Sequence, residues 1–312
     1  MNVFRHFGWQ KVRGICYSGF REGQRPGEKY PSYEEVKEDL LLLEPDFGHL
    51  RMYDCDEHAK IVLEVIKKEG FPFKVLQGAY IEAEMNNFGC PWGGGVYGEH
   101  ELERNKKANL KKIKRLADWA NRYPDIIIAL SVGNEACVDW SGNYVPVHRV
   151  IEYVQYVKGH ASQPVTFCDN YVPWLNKLKP LVEVVDFISL HTYPVWEYKH
   201  IHEAMNYTVE NYEMVAKMHR GKPVVITEAG WATNSNGRGI HPERVNEEAQ
   251  KLYFEDLMQW TDKHNVLTYF FEAFDEPWKG SPDPNEPEKH WGLYKVDRSP
   301  KLVMKKAGSL KG

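Results

Sequence analysis

Two hydrophobic runs in this 312-residue chain end in glutamate: DIIIALSVGNE closes on Glu135, and KPVVITEAGW carries Glu228 past its apolar stretch. A carboxylate at the end of a run buried on both faces is costly unless a partner or a reaction uses its charge. A facing pair of carboxyls is the minimal machinery for cleaving a glycosidic bond through an oxocarbenium-like transition state. At about 5–5.5 Å apart, one attacks the anomeric carbon while the other protonates the leaving oxygen, and configuration is retained. At about 6.5–9.5 Å a water fits between them and configuration inverts. The sequence does not measure that gap. Asn134, beside Glu135, is placed to bind a sugar 2-hydroxyl, a contact that strengthens in the transition state. Acting as the acid, Glu135 needs its pKa raised to roughly 6 so that it is protonated before cleavage.

Simpler readings compete. Either glutamate alone is more economically a salt-bridge partner or helix cap. The pair also fits a divalent metal site, although no HxH or HxxxH spacing decorates these strand ends. His191, two residues before Tyr193, reads as a buried, hydrogen-bonded histidine in strand packing or behind the site.

The runs that carry these residues recur eight times: 12–19, 47–54, 73–82, 125–135, 164–171, 184–194, 222–231 and 266–276. Continuous apolarity rather than alternation suits parallel strands covered on both faces. Amphipathic helices fall between them. SYEEVKEDLLLLE opens with a capping box, Ser32 and Glu35, and EHAKIVLEVIKKEG closes on Gly70 as a left-handed cap. The next helix stops at Pro124, and the helix before the sixth strand reads short. This alternation predicts a single-domain (β/α)8 TIM barrel over 1–312. A doubly wound open sheet is disfavoured, because no GxGxxG or GxxxxGK[ST] follows a strand.

Strands pointing one way bring their last residues to one rim: Tyr17, Arg51, Tyr53, Asp54, Glu82, Asn134, Glu135, Asn170, Tyr193, Glu228, Trp231, Asp275 and Glu276. Two long loops join that face, 82–101 after the third strand and 276–291 after the eighth. The first, rich in Gly with Phe88 and Trp92, reads as a flexible lid that walls one end of a groove. Trp231, Trp278 and Trp291 are placed to stack on pyranose faces.

SVGNE with VITEAGW resembles glycoside hydrolase family 17, the retaining (β/α)8 β-1,3-glucanases and glucanosyltransferases. GICYSG, LRMYD, HTYP, FFEAFDEPWK and EKHWGLY agree in order along the chain. The resemblance implies Glu135 as acid/base, Glu228 as nucleophile and Tyr193 as the residue orienting Glu228. It further implies Glu276 and Lys279 as an auxiliary charged pair, and Tyr53 as part of the substrate groove. With Tyr17, Asn134, Trp231 and Trp291 these form the expected site. The implied reaction is retaining hydrolysis of laminarin-type β-1,3-glucan, with glucanosyl transfer as the alternative outcome. No metal or organic cofactor is implied. A non-catalytic glucan-binding barrel is the rival from a different class.

A net charge of −4 gives no general attraction for nucleic acid. No apolar run is long enough to span a bilayer, and a monomer is expected. MNVFRHFGWQKVRG lacks the apolar core of a signal peptide. The compartment therefore stays open: the substrate class favours a secreted or periplasmic site where a leader has been removed, and a cytoplasmic one is expected otherwise. Of five cysteines, Cys16 and Cys168 read as free thiols within strands, while a disulfide among Cys55, Cys90 and Cys137 stays open.

Overall fold

The computed structural model describes residues 1–305. Eight strands form one closed parallel sheet in chain order: β1 (Gly14–Cys16), β2 (His49–Met52), β3 (Lys74–Ala79), β4 (Ile127–Asn134), β5 (Val165–Asn170), β6 (Ile188–His191), β7 (Val224–Ala229) and β8 (Thr268–Phe270). β8 pairs back onto β1 through Gly14–Tyr269 and Ile15–Phe270. The expected (β/α)8 barrel is the observed architecture. Nearly every strand residue is buried, as a sheet filled on the inside and covered by helices on the outside demands.

Helix α1 (Val3–Phe7) precedes the barrel, and its neighbour Trp9 packs with Phe7 against Phe187. Around the sheet lie α2 (Tyr33–Leu43), α3 (Glu57–Glu69), α4 (Glu99–Arg122), α5 (Val147–Lys158), α6 (Tyr171–Leu175), α7 (Lys179–Val182), α8 (Ile201–Met218) and α9 (Glu247–His264). Their ends follow the local chemistry read from sequence. Ser32 and Glu35 form the reciprocal capping box, and Gly70 ends α3 at φ 76°. α4 stops two residues before Pro124, and the β5–β6 connection is split into the short α6 and α7. No helix among the described residues is long and apolar enough to cross a membrane.

Two expectations change, and one open point closes. The eighth strand ends at Phe270 rather than 276, because the following segment turns to pair with the returning chain: Glu272 N–H donates to Trp291 and Leu293 N–H to Glu272. No disulfide forms, since all five cysteines are free. The Cys55, Cys90 and Cys137 thiols instead each donate to a backbone carbonyl at 3.2 Å. The 82–101 loop is pinned rather than loose. Asn87 Nδ2 donates to the Asp139 and Ser141 carbonyls, and Tyr97 Oη to that of Gly142. Asn206-Tyr207-Thr208, a triplet of the N-glycosylation type, lies inside α8, with Thr208 buried against the Tyr253 hydroxyl at 2.7 Å.

Candidate active site

Consecutive strand residues normally point to opposite faces, yet Asn134 and Glu135 both line one cavity at the mouth of the barrel. The β4–β5 register shifts between Ser131 and Asn134, Gly133 takes φ 87° and Glu135 φ 46°. This bulge re-aims both side chains, a recurrent device beside active sites. Glycine suits 133 because its positive φ would strain any L side chain, and a Cβ there would also press on Ile81 Cδ1 at 2.8 Å.

Glu228, on β7, is 5% exposed. Arg51 Nη1 pairs with its Oε1, to which the Tyr53 hydroxyl also donates at 3.0 Å. The Tyr193 hydroxyl donates to Oε2 at 2.5 Å, and His191 Nδ1 lies 3.4 Å from the same oxygen. Burial alone would raise the carboxyl's pKa. The charges of His191 and Arg51, with hydrogen bonds from Tyr193 and Arg51, instead hold it at about 2. Glu228 is thus ionised at any physiological pH.

Glu135 reaches the same point from β4. His191 Nδ1 is 2.8 Å from its Oε1. One oxygen from each glutamate and the His191 nitrogen all lie within 4.8 Å of one another. That is on the short side of the roughly 6.5–9.5 Å an intervening water requires. Burial works against a charged His191, but Glu228, Cys168 and Glu135 raise its pKa to about 10, so it sits between the glutamates as a cation. The same three residues have the donor types of a metal site. Here, however, the Glu228 oxygens are taken by Arg51, Tyr53 and Tyr193, and a cationic His191 and Arg51 repel a second cation. The donor set suits hydrogen bonding better than coordination.

A second charged group borders the cavity. Lys279 Nζ bonds both oxygens of Glu272 at 2.9 and 2.7 Å and pairs with Glu276. Trp278 Nε1 donates to Glu276 at 2.9 Å, and the Ser18 hydroxyl also binds it. Burial and the Glu276 charge raise Glu272 well above the carboxylate range. Glu276, buried too, is held low by Lys279 and by a hydrogen bond from Glu272. The pair therefore shares a proton beside one ammonium. Glu288, also on the cavity wall, is pushed up to about 7 by burial, with Lys279 opposing and Glu135 and Glu228 reinforcing the shift.

The cavity holds about 910 Å³ and is walled by aromatics, among them Tyr53, Tyr80, Trp92, Trp140, Tyr193, Trp196, Trp278 and Trp291. A cavity of this size with aromatic walls and convergent carboxyls suits sugar rings. A model of the BtgE/BtgC glycoside hydrolase domain matches residues 14–292. The chain belongs to that family. Its resemblance to glycoside hydrolase family 17, drawn from the motifs, holds.

Several relatives align along most of the chain. A glucan 1,3-β-glucosidase from Arthroderma benhamiae is 24% identical over 304 residues, 91% of this chain and 89% of its own length. A protein from Aspergillus clavatus named "Probable glucan endo-1,3-beta-glucosidase btgC" is 24% identical over 89% of this chain, which spans only 40% of that relative. The crystal structure of an endo-laminarinase from Formosa superposes with a TM-score of 0.80 at 28% identity, covering 94% of this chain and 86% of that one.

In this glycoside hydrolase Tyr53, Asn134, Glu135, Tyr193, Glu228, Glu276, Lys279 and Trp291 border one cleft. Tyr17 borders it as well, but it is fully buried and its hydroxyl donates to Asp39 at 3.0 Å. Trp231 is the misplaced member: it is fully buried, with Nε1 donating to the Arg244 carbonyl and the ring against Tyr253. The chain at Gly230 lies so close to β8 that a Cβ would meet Phe271 O at 2.1 Å. The next side chain is thereby turned outward under α9. Sequence reading placed Arg51 on the rim but gave it no role, placed His191 only in packing or behind the site, and passed over Glu272 and Glu288. Arg51 had a signal: a lone arginine inside the fully buried HLRM strand must find a buried carboxylate.

Proposed function

We propose that this chain acts as one catalytic barrel domain that hydrolyses laminarin-type β-1,3-glucan with retention of configuration. The observation that carries the reading is the short approach of Glu135 to Glu228, both oxygens lying within 4.8 Å of a shared His191 nitrogen. Glu228, already ionised at about 2, attacks the anomeric carbon as Glu135 gives its proton to the departing glycosidic oxygen. A glycosyl ester on Glu228 and a shortened glucan result. Glu135, now a carboxylate, takes a proton from water. That water attacks the anomeric carbon, releases the sugar and restores both carboxyls. Tyr193 and Tyr53 hold the attacking carboxylate in place. Arg51 binds the Asn134 amide oxygen, which directs the amide NH2 toward a sugar hydroxyl.

The β-1,3 linkage is inferred from the named activities of the Arthroderma and Formosa proteins, read together with the aromatic cleft. Hydrolysis is preferred to transfer, which would proceed through the same ester with a sugar hydroxyl in place of water. Incubation with laminarin, followed by separation of products by size, tests the reading. The wild type should release short β-1,3 oligosaccharides, and Glu228→Gln should release none while keeping its fold. Wild-type rates in Glu228→Gln, or activity confined to β-1,4 or β-1,6 glucan, would overturn it.

A further inference from the structure

Trp92 lies on the loop after β3 and Arg238 on the loop after β7, and the Arg238 guanidinium carbon sits 5.7 Å from the Trp92 ring centroid. β3 and β7 are four strands apart in a closed order of eight. A contact between their loops therefore crosses the mouth of the barrel. Both residues line the catalytic cavity, while Trp92 keeps 51% of its surface in solvent, as a roof residue would.

Each side of the crossing is tied down. Asn87 and Tyr97 fasten the β3 loop to the 139–142 segment. Asn234 bonds Asn285, Asn236 bonds Asp283 and Arg238 pairs with Glu286, fastening the β7 loop to the one after β8. The cavity lining includes Phe20 and Trp278, which follow β1 and β8, and Trp140 and Tyr207, which follow β4 and β6, so the strand order puts lining residues on both sides of the crossing. A glucan reaching from one side to the other must pass beneath it.

We infer that the Trp92–Arg238 contact bridges the cleft and selects how the substrate enters: chain ends and short oligosaccharides are admitted, and the interior of a long chain is refused. This rests on the β-1,3-glucanase reading above and adds the form of substrate the site accepts. A chain interior would need the bridge to part, whereas a free end threads beneath it.

The test compares a linear β-1,3-glucan having free ends with the same glucan closed at both ends by periodate oxidation and reductive amination of the resulting aldehydes onto an amine-bearing protein too large to pass beneath the bridge. Interior 1,3-linked residues carry no vicinal hydroxyl pair and survive that treatment. The readout is the ratio of cleavage rates on closed and open glucan, so a general loss of activity cancels. The wild type should cut the closed glucan roughly tenfold or more slowly. Trp92→Ala and Arg238→Ala should bring the ratio toward one, and Trp92→Tyr, which keeps a ring over the guanidinium, should stay near wild type. Equal rates in the wild type, or an unchanged ratio in both alanine variants, would overturn the inference while leaving the glucanase reading intact. A wild type inactive on every β-1,3-glucan would instead overturn the proposed function, and this inference with it.

Discussion

At the scale of single residues, the reactive centre is one buried ion pair with hydrogen-bond donors arranged around it. Glu228 is held at about 2 against an ordinary 4.5. It contributes stability that is complete above about pH 4.5 and lost as pH falls toward 2. His191, raised from 6.5 to about 10, contributes stability that is complete below 6.5 and lost as pH rises through 10. The two describe a shared interaction, present in the folded protein from about pH 2 to about pH 10, whose contribution to stability is complete between about 4.5 and 6.5. Replacing His191 with Phe should therefore move the acid limb of kcat/KM upward by about 1–3 pH units, as a pH–rate profile would show. Tyr193→Phe removes one donor to a charged acceptor, so kcat/KM should fall roughly 10–100-fold with little change in melting temperature. The glutamates were legible because each ends an apolar run. Arg51 was not given its role, because its partners Glu228 and Asn134 lie 177 and 83 residues away and meet it only once the barrel closes.

At the scale of elements, a few backbone adjustments convert ordinary βα units into a site. The β4 bulge brings two adjacent side chains to one cleft, and Gly133 permits it at φ 87°. Gly133→Ala should destabilise the protein by about 1–3 kcal/mol. It should also depress activity beyond what the stability loss explains, as comparison of urea midpoints with rates on folded protein would reveal. A buried clasp ties the end of the chain to the start of the barrel. Arg298 grips both oxygens of Asp39 at 2.7 Å, and Tyr17 and Arg21 complete the carboxylate's partners. Arg298→Met leaves the buried Asp39 with Arg21 as its one cationic partner and should cost up to about 3–5 kcal/mol in thermal or urea denaturation. Helix boundaries were readable from Ser32, Gly70 and Pro124, whose effects are local. Strand ends were not, since β8 stops where the chain from 291 to 294 returns to pair beside it, a contact no local pattern announces. The same tertiary crowding, at Gly230, explains why Trp231 turns outward to the α9 layer rather than into the cleft.

For the molecule as a whole, fold class followed from eight repetitions of one pattern, whereas the shape of the cleft depended on loops whose contacts are long-range. The Trp92–Arg238 crossing joins residues on opposite sides of the barrel, and no spacing in the sequence predicts it. Global stability carries its own pH signature. His58 is buried, accepts a hydrogen bond from Gly19 N–H through Nε2, and has its pKa lowered to about 4 by burial. The unfolded chain takes up that proton first, so this histidine removes stability as pH falls from about 6.5 to about 4. His58→Phe should flatten the dependence of unfolding free energy on pH across that window by up to about 1.4 kcal/mol per pH unit, measured by urea titrations at several pH values.

The central claim, a double displacement between Glu228 and Glu135, is tested most directly by the anomeric configuration of the first product. Proton NMR of laminarihexaose cleavage, recorded before mutarotation equilibrates the new reducing end, should show the β-anomer appearing first. The α-anomer appearing first would mean that water attacks the anomeric carbon directly, with no ester formed on Glu228, and would contradict the account.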